Sequence, residues 1–292
     1  MKLGVLASPR SWYLTDLRRA AAGRHEVVPI SFAQLAADLS HCWGGLSPCR
    51  HFLSAFDAVV VRSMPPGSLE QVVFRMDVLG RAETAGTVVV NPPRALEAAV
   101  DKYLASAKLQ AAGLLVPATS VCQTVEQALE AFEALGGDVV LKPLFGSEGR
   151  GMTRLTDPAV ALRVFSALAR LQAVLYLQQF VPHPGYDYRL LVLDDRVLAI
   201  KRTNPHDWRT NVARGAVAEA FHPPREMVLL ARHAAQTLGA RWAGVDLLPG
   251  LDGQLYTLEV NAVPGWRAVA AAHHIDVAAI VLAQLEQWVK HR

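Results

Sequence analysis

The sequence predicts a mixed fold: an amino-terminal parallel α/β unit over residues 1–92, a central α+β unit over 93–174, and a carboxy-terminal antiparallel α+β unit over 175–292. Three observations carry that prediction. Short apolar runs alternate with helical stretches as far as Asn91-Pro92-Pro93, the pattern of parallel strands joined by crossover helices. From Leu175 onward the apolar runs lengthen and follow one another through turns, the pattern of strands joined as hairpins. A chain of 292 residues, 52% hydrophobic and 19% charged, can also bury two or three packed cores.

The elements follow in order. Residues 3–7 form an unbroken apolar run and read as a buried strand. Residues 13–22 read as a helix, because Leu14, Leu17, Ala20 and Ala21 recur at helical spacing. Strands follow at 27–30 and 57–61, then a helix at 69–83 and a strand at 87–90. A helical segment at 96–112 leads to a strand at 116–121, a helix at 125–135 and the strand Val139-Val140-Leu141-Lys142. A glycine-rich turn, a strand at 152–155 and a helix at 158–171 complete the central unit. Strands at 175–181, 188–193 and 197–201, a helix at 225–238 and a final hairpin carrying Asp246 and Glu259 make up the third. There is no internal repeat and no low-complexity tract.

Composition excludes several classes of function. No apolar run approaches the ~20 residues that span a bilayer. The opening Met1-Lys2-Leu3-Gly4-Val5-Leu6-Ala7 passes into Ser8-Pro9-Arg10 before a signal-peptide core forms, so a cytoplasmic protein is expected. Net charge is +3, with 29 Lys and Arg residues scattered rather than grouped, which favours small anionic partners over nucleic acid or a membrane. A homo-oligomer is compatible with all of this. Cys42, Cys49 and Cys122 are too few and too odd in number for a disulfide framework and fit a reducing compartment. The cluster His41, Cys42, Cys49 and His51 matches no common zinc spacing and reads as a loop.

Two motifs carry chemistry. Asp252-Gly253 between apolar runs signals a two-residue hairpin turn, and positions equidistant from it face each other, which pairs Asp246 with Glu259. Strand alternation then places Asp246, Glu259 and Asn261 on one face, and Val245, Leu247, Leu258 and Val260 on the other. Two carboxylates and an amide are hard oxygen donors suited to Mg²⁺ shared with substrate phosphates. A plain solvated hairpin face accounts for the same pattern, and Pro249 and Gly250 are able to shift the register. The second motif is Gly146-Ser147-Glu148-Gly149-Arg150-Gly151 between two strands, where glycine lets backbone N–H groups approach a phosphate. No Gly-Lys-Ser/Thr follows it and no helix opens after it, so it is neither a P-loop nor a Rossmann fingerprint. Lys142, near the end of an apolar strand, needs an anionic or hydrogen-bonding partner.

Lys142-Pro143, the glycine turn, Leu177-Gln178-Gln179-Phe180-Val181, Gly185-x-Asp187-x-Arg189, Arg209-Thr210-Asn211, Gly244-Val245-Asp246 and Glu259-Val260-Asn261 stand in the order and spacing of ATP-grasp ligases. The chain resembles their RimK-type branch, the α-L-glutamate ligases, over essentially its whole length. That resemblance implies an ATP-grasp fold: an amino-terminal α/β domain, a central lid carrying the glycine loop, and a carboxy-terminal antiparallel α+β domain, with ATP between the last two. It assigns Lys102, Lys142, Gly146, Ser147, Gly149, Gly151, Gln178, Gln179, Phe180, Val181, Asp187, Arg209, Thr210 and Asn211 to ATP. Within that set Lys142 reaches the adenine and α-phosphate region, Gln179 and Phe180 lie on the adenine hinge, and Asp187 takes the ribose. Asp246, Glu259 and Asn261 match the ligands of Mg²⁺ or Mn²⁺, implied as two ions. The family usually has Glu where this chain has Gln179.

The implied reaction joins an amino acid, glutamate in this branch, to a carboxylate through an acyl phosphate. Arg202, Arg209 and Arg214 are the candidates to stabilise the transferring phosphoryl group and the later oxyanion. No Ser-His-Asp or Cys-His nucleophile is evident, and His206, His273 and His274 read as surface or packing residues. Arg62, Arg189 and Arg267 are expected to meet the carboxylate substrates, with Trp266 offering a flat surface to an aromatic ring; packing of the domain junction by Trp266 and Arg267 is the alternative reading. The segments around Arg62 and Arg267 resemble the branch acting on pterin or deazaflavin coenzymes, such as tetrahydromethanopterin, more than the branch modifying a ribosomal-protein tail. A non-catalytic ATP sensor is the alternative of another class, and it has little need of a full metal set.

Overall fold

The structure, a computed structural model, describes residues 1–37, 53–146 and 149–292. The first unit is, as expected, a parallel sheet, formed by β1 (Lys2–Leu6), β2 (Glu26–Ile30), β3 (Ala58–Val61) and β4 (Val88–Val90) in the order β2-β1-β3-β4. The crossovers are α1 (Trp12–Ala21) and α2 (Leu69–Thr84). Every residue of β3 and β4 is buried, because helices cover both faces of the sheet. A capping box starts α2: the Ser68 hydroxyl accepts from the Gln71 N–H, and the Gln71 side chain accepts from the Ser68 N–H.

The helix expected over 96–112 is two helices, α3 (Pro93–Val100) and α4 (Lys102–Ala111). Asp101 makes the break. Its extended backbone ends α3, and its carboxylate accepts from the N–H groups of Tyr103 and Leu104 at 2.9 and 3.1 Å. Apolar spacing is helical on both sides, so periodicity alone does not show it.

The central unit is an antiparallel sheet of β5 (Thr119–Cys122), β6 (Val139–Lys142), β7 (Thr153–Leu155) and β8 (Leu175–Gln179), ordered β5-β8-β6-β7. Helices α5 (Val125–Ala134) and α6 (Pro158–Arg170) cover one face through Phe132 and Phe165, packed on Val139, Leu141 and Leu177. The expected boundary between 174 and 175 is therefore wrong. Strand β8 pairs with β5 and β6, so residues 175–179 belong to the central sheet, and the strand stops at Gln179 rather than Val181. Which sheet a strand joins is set by long-range pairing, which local pattern does not encode.

The third unit is a five-stranded sheet of β9 (Tyr186–Leu193), β10 (Arg196–Thr203), β11 (Val217–Phe221), β12 (Trp242–Pro249) and β13 (Leu255–Asn261), ordered β11-β10-β9-β12-β13. Helix α7 (Arg225–Thr237) packs on one face, α8 (Arg267–His273) packs on β10 and β11, and α9 (Val277–Lys290) returns to the first unit. Leu282 and Leu285 of α9 share a core with Leu3, Val5, Leu191 and Trp242. Asn91, just past β4, clasps the first and third units. Its Nδ2 donates to the carbonyls of Trp242 and Ala262, both at 2.6 Å, and its Oδ1 accepts from the N–H groups of Arg241 and Trp242 at 2.8 and 3.0 Å. Among the described residues no single helix is long and apolar enough to cross a membrane, and the bent pair α8–α9, which passes by composition, is core.

Candidate active site

The site begins with the β12–β13 hairpin. Asp246 does pair with Glu259, but not through a two-residue turn: Gly250 N–H donates to the Gln254 carbonyl across a longer loop, and a bulge at Leu258 restores the register. The extra residue reverses the alternation locally. Thr257 is buried opposite Leu247, and Leu258, expected on the core face, instead lines a cleft together with Leu248. Glu259 and Asn261 stay on the face of Asp246.

Cross-strand register then assembles a row of four charges over three strands. Arg202 on β10 stands opposite Asp187 on β9, and Arg189 on β9 stands opposite Asp246 on β12. Arg189 binds Asp246 with two hydrogen bonds of 2.5 and 2.6 Å, Arg202 binds both oxygens of Asp187, and Arg202 also reaches Asp246 at 3.1 Å. All four are largely buried, and such pairs hold only when their hydrogen bonds are this complete. Burial would push the Asp246 carboxyl up, but Arg189 and Arg202 outweigh it and hold Asp246 below the ordinary carboxylate range. Both oxygens of Asp187 accept from Arg202, so the residue expected at the ribose is also the partner that holds that guanidinium. The pairing was itself legible: Asp194-Asp195 forms the β9–β10 turn, and positions equidistant from it are Asp187 and Arg202.

A cleft between the central and third sheets encloses about 980 Å³, its open mouth included, and collects most of the residues expected to hold ATP. Lys102, Lys142, Gly149, Gln178, Gln179, Phe180, Val181, Asp187, Arg209, Thr210 and Asn211 all line it. Lys142 is half-buried and donates to Gln178 Oε1 at 2.5 Å, while Gln178 Nε2 donates to Thr119 Oγ1 at 3.0 Å. Burial pushes the Lys142 ammonium down to about 8, with Glu259 opposing the shift. Sequence reading missed Tyr176, His183, Trp208 and Leu248 in this wall. Phe180 meets Trp208 edge-on at 5.9 Å and carries the Arg154 guanidinium 3.5 Å from its ring centre, so one end of the cleft is an aromatic slot.

The glycine turn joins β6 to β7. Gly149 and Gly151 have φ of +67° and +72°, and a Cβ on Gly149 would lie 2.6 Å from Asn211 Oδ1. Lys102 Nζ donates to the Gly146 carbonyl at 3.0 Å, and Arg214 donates to the Gly149 carbonyl at 3.3 Å. Arg214 thus holds the turn and lines neither cavity, which corrects its expected catalytic place. Ser147 and the His41 to His51 cluster lie outside the described residues.

A second cavity, about 2200 Å³ with its mouth, opens between the first and third units and is lined by Arg62, Arg189 and Arg267, with Asn261 and Gly146. Trp266 does not serve it as expected. Its ring is fully buried, its Nε1 donates to Asp16 at 2.9 Å, and it packs edge-on against Tyr13. His273 packs as expected, its Nε2 2.6 Å from the Ala199 carbonyl oxygen. Ala99, Arg202, Asn211 and Glu259 line both cavities, so the two meet at the charged row.

The residues at that junction fit a hard divalent cation. Among the described residues Glu259 has no hydrogen bond or ion pair, Asp246 opposes it, and Asn261 lies two residues on. No group of three His, Cys, Asp or Glu side chains gathers among the described residues, so the donor set is two carboxylates and an amide, completed by phosphate oxygens and water as Mg²⁺ prefers.

An aromatic slot, a half-buried lysine, a glycine turn and an acidic pair at the meeting of two cavities define a nucleotide-dependent enzyme that brings phosphate to a second substrate. Residues 99–285 match the RimK-like ATP-grasp domain, and the chain belongs to that family. It is 32% identical to the tetrahydromethanopterin:alpha-L-glutamate ligase of Methanosarcina acetivorans over 80% of this chain and 81% of that one. To the enzyme of the same name from Methanocaldococcus jannaschii it is 30% identical over 99% of this chain and 100% of that one. Its fold superposes with a TM-score of 0.73 on the ATP-grasp ligase PsnB, solved with minimal precursor, Mg and ADP, at 24% identity, covering 99% of this chain and 98% of that one. The chain is an ATP-grasp ligase that forms an amide bond with release of ADP, and its family uses ATP and Mg²⁺.

Proposed function

We propose that this enzyme joins L-glutamate to a carboxylate of a pterin-type coenzyme, in the cytoplasm, with two Mg²⁺ or Mn²⁺ ions. The observation that carries this reading is the junction: the nucleotide cleft and the second cavity share Arg202, Asn211 and Glu259, so a γ-phosphate and an acceptor carboxylate reach one point from opposite sides. The relatives' names supply glutamate and the pterin.

The roles follow from position. The aromatic slot at Phe180 and Trp208 takes the adenine, Lys142 and the N–H groups of the glycine turn take phosphate oxygens, and Asp246, Glu259 and Asn261 hold the metal. When bound, the metal neutralises phosphate charge and orients the transferring group. Asp187 fixes the Arg202 guanidinium by bidentate pairing, so Arg202 faces the junction in one orientation and stabilises the charge that develops on the phosphoryl oxygens and then on the tetrahedral oxyanion. Asp187 is therefore a positioning residue. Arg209, at the wall of the cleft and tied to Asp207, adds charge near the β- and γ-phosphates.

The test is ADP release with L-glutamate and reduced pterin carboxylates, read together with product mass. A product heavier than the acceptor by one glutamate residue supports the reading. ADP release only with other amines or other carboxylates would replace it.

A further inference from the structure

Arg62 follows β3 directly, at the carboxyl edge of the parallel sheet, where ligands of open α/β sheets bind. It is buried, with 7% of its surface exposed, and lines the second cavity. Its guanidinium sits in a corner of two rings, 4.3 Å from the centre of Tyr13 and 4.4 Å from that of Trp266. The corner is braced: Trp266 is tied to Asp16, which also binds Arg19, and a Cβ at Gly265 would strike the Tyr13 hydroxyl at 2.5 Å. Arg189 and Arg202 in the same cavity are answered by Asp246 and Asp187. Arg62 is answered by no carboxylate among the described residues, and its Nε is buried without a hydrogen-bond partner. Burial holds its pKa down to about 10, so it stays charged at neutral pH.

An uncompensated buried guanidinium costs stability, and two rings return only part of that cost. Planar N–H groups in a fixed orientation match a carboxylate. Resting on the ligase reading above, we propose that Arg62 is the receptor for a carboxylate that takes no part in the bond formed, carried by the amino acid or by the acceptor, and that it selects free acids over amides at that position. Tyr13, Trp266 and Gly265 act as its positioning residues.

The test compares wild type with Arg62→Met and Arg62→Lys. Calorimetric binding is measured with L-glutamate and with glutarate as a bare dicarboxylate. Turnover compares L-glutamate with its α-amide and γ-amide, and the pterin acceptor with its mono-amide, so the arm that loses discrimination identifies which substrate carries the recognised group. Arg62→Met should raise the KM of that substrate about tenfold to a hundredfold, flatten its acid-over-amide preference, and leave the melting temperature unchanged or raised by about 2 °C, because an unpaired buried charge is removed. Arg62→Lys should keep part of the binding and lose most of the discrimination. Glutarate binding lost in Arg62→Met without any glutamate turnover in wild type would uphold the receptor and overturn glutamate as substrate. Full acid-over-amide preference in both variants for the amino acid and for the acceptor, or a fall in melting temperature matching the lost binding, would overturn the receptor.

Discussion

Replacing Glu259 by Gln removes one negative charge from the junction and nothing else of size. Because Glu259 has no ion pair or hydrogen bond among the described residues, its neutral isostere should change stability by no more than ~0.5 kcal/mol, about 2 °C in melting temperature. Asp246→Asn is the contrast. That carboxylate accepts from both Arg189 and Arg202 in a buried setting, and removing its charge leaves Arg189 without an anionic partner and Arg202 with Asp187 alone, a loss of about 3–5 kcal/mol. The catalytic effect should run the other way relative to stability. A ligand charge that orients and neutralises phosphate contributes several kcal/mol at the transition state, so Glu259→Gln should lower kcat by about 100-fold or more while still melting like wild type. Coupled ADP release, with Mg²⁺ titrated at fixed ATP, reads the first effect, and circular dichroism melting reads the second. Wild-type ADP production in Glu259→Gln, or a melting loss as large as that of Asp246→Asn, would refute the assignment of Glu259 as a free metal ligand.

Lys142 gives a pH prediction. With its ammonium held down to about 8 from an ordinary 10.5, kcat/KM for MgATP should fall as pH rises through 8, and a profile flat well above that would remove Lys142 from phosphate binding. Its stability contribution has the opposite sign: the unfolded chain keeps the proton up to 10.5 while the folded one has released it, so denaturant midpoints should rise with pH between about 8 and 10.5. Gly149→Ala, at φ +67° with a Cβ 2.6 Å from Asn211 Oδ1, should raise the KM for ATP about tenfold with little change in melting, and an unaltered KM would show that the turn does not cradle phosphate. Asn91→Ala deletes four buried hydrogen bonds between units and should lower the melting temperature by about 10 °C, a shift that calorimetry would contradict if it stayed under about 2 °C.

Much of this arrangement was readable from local pattern. Alternating strands and helices up to Val90 follow from side-chain period, and the structure has them; the opposition of Asp246 and Glu259 is also present, but the bulge at Leu258 produces it rather than the expected two-residue turn. What stayed hidden depends on contacts between distant segments. Strand β8 looks like the start of the third unit and pairs with the second, and Trp266 looks like an open platform but is closed off by Tyr13 and Asp16, more than two hundred residues away in sequence. The charged row lies between these cases. Its four members were named one by one as candidates, yet their pairing needed the Asp194-Asp195 turn to be read with the arithmetic applied to the final hairpin.

The bulge at Leu258 has a consequence for how this site tolerates change. It lies between the loop at residues 250–254 and the carboxylate pair, so the register at the tip and the register at the ligands differ by one residue and are set separately. The loop can lengthen, shorten or be rebuilt while Glu259 keeps facing Asp246. Straightening the bulge with every residue kept would instead pair Leu258 with Asp246 and turn Glu259 into the apolar layer with Val245 and Leu247, abolishing the donor set without touching any of its members. Diversity at this end of the molecule should therefore collect in the tip, with the alternation from Glu259 to Asn261 held constant.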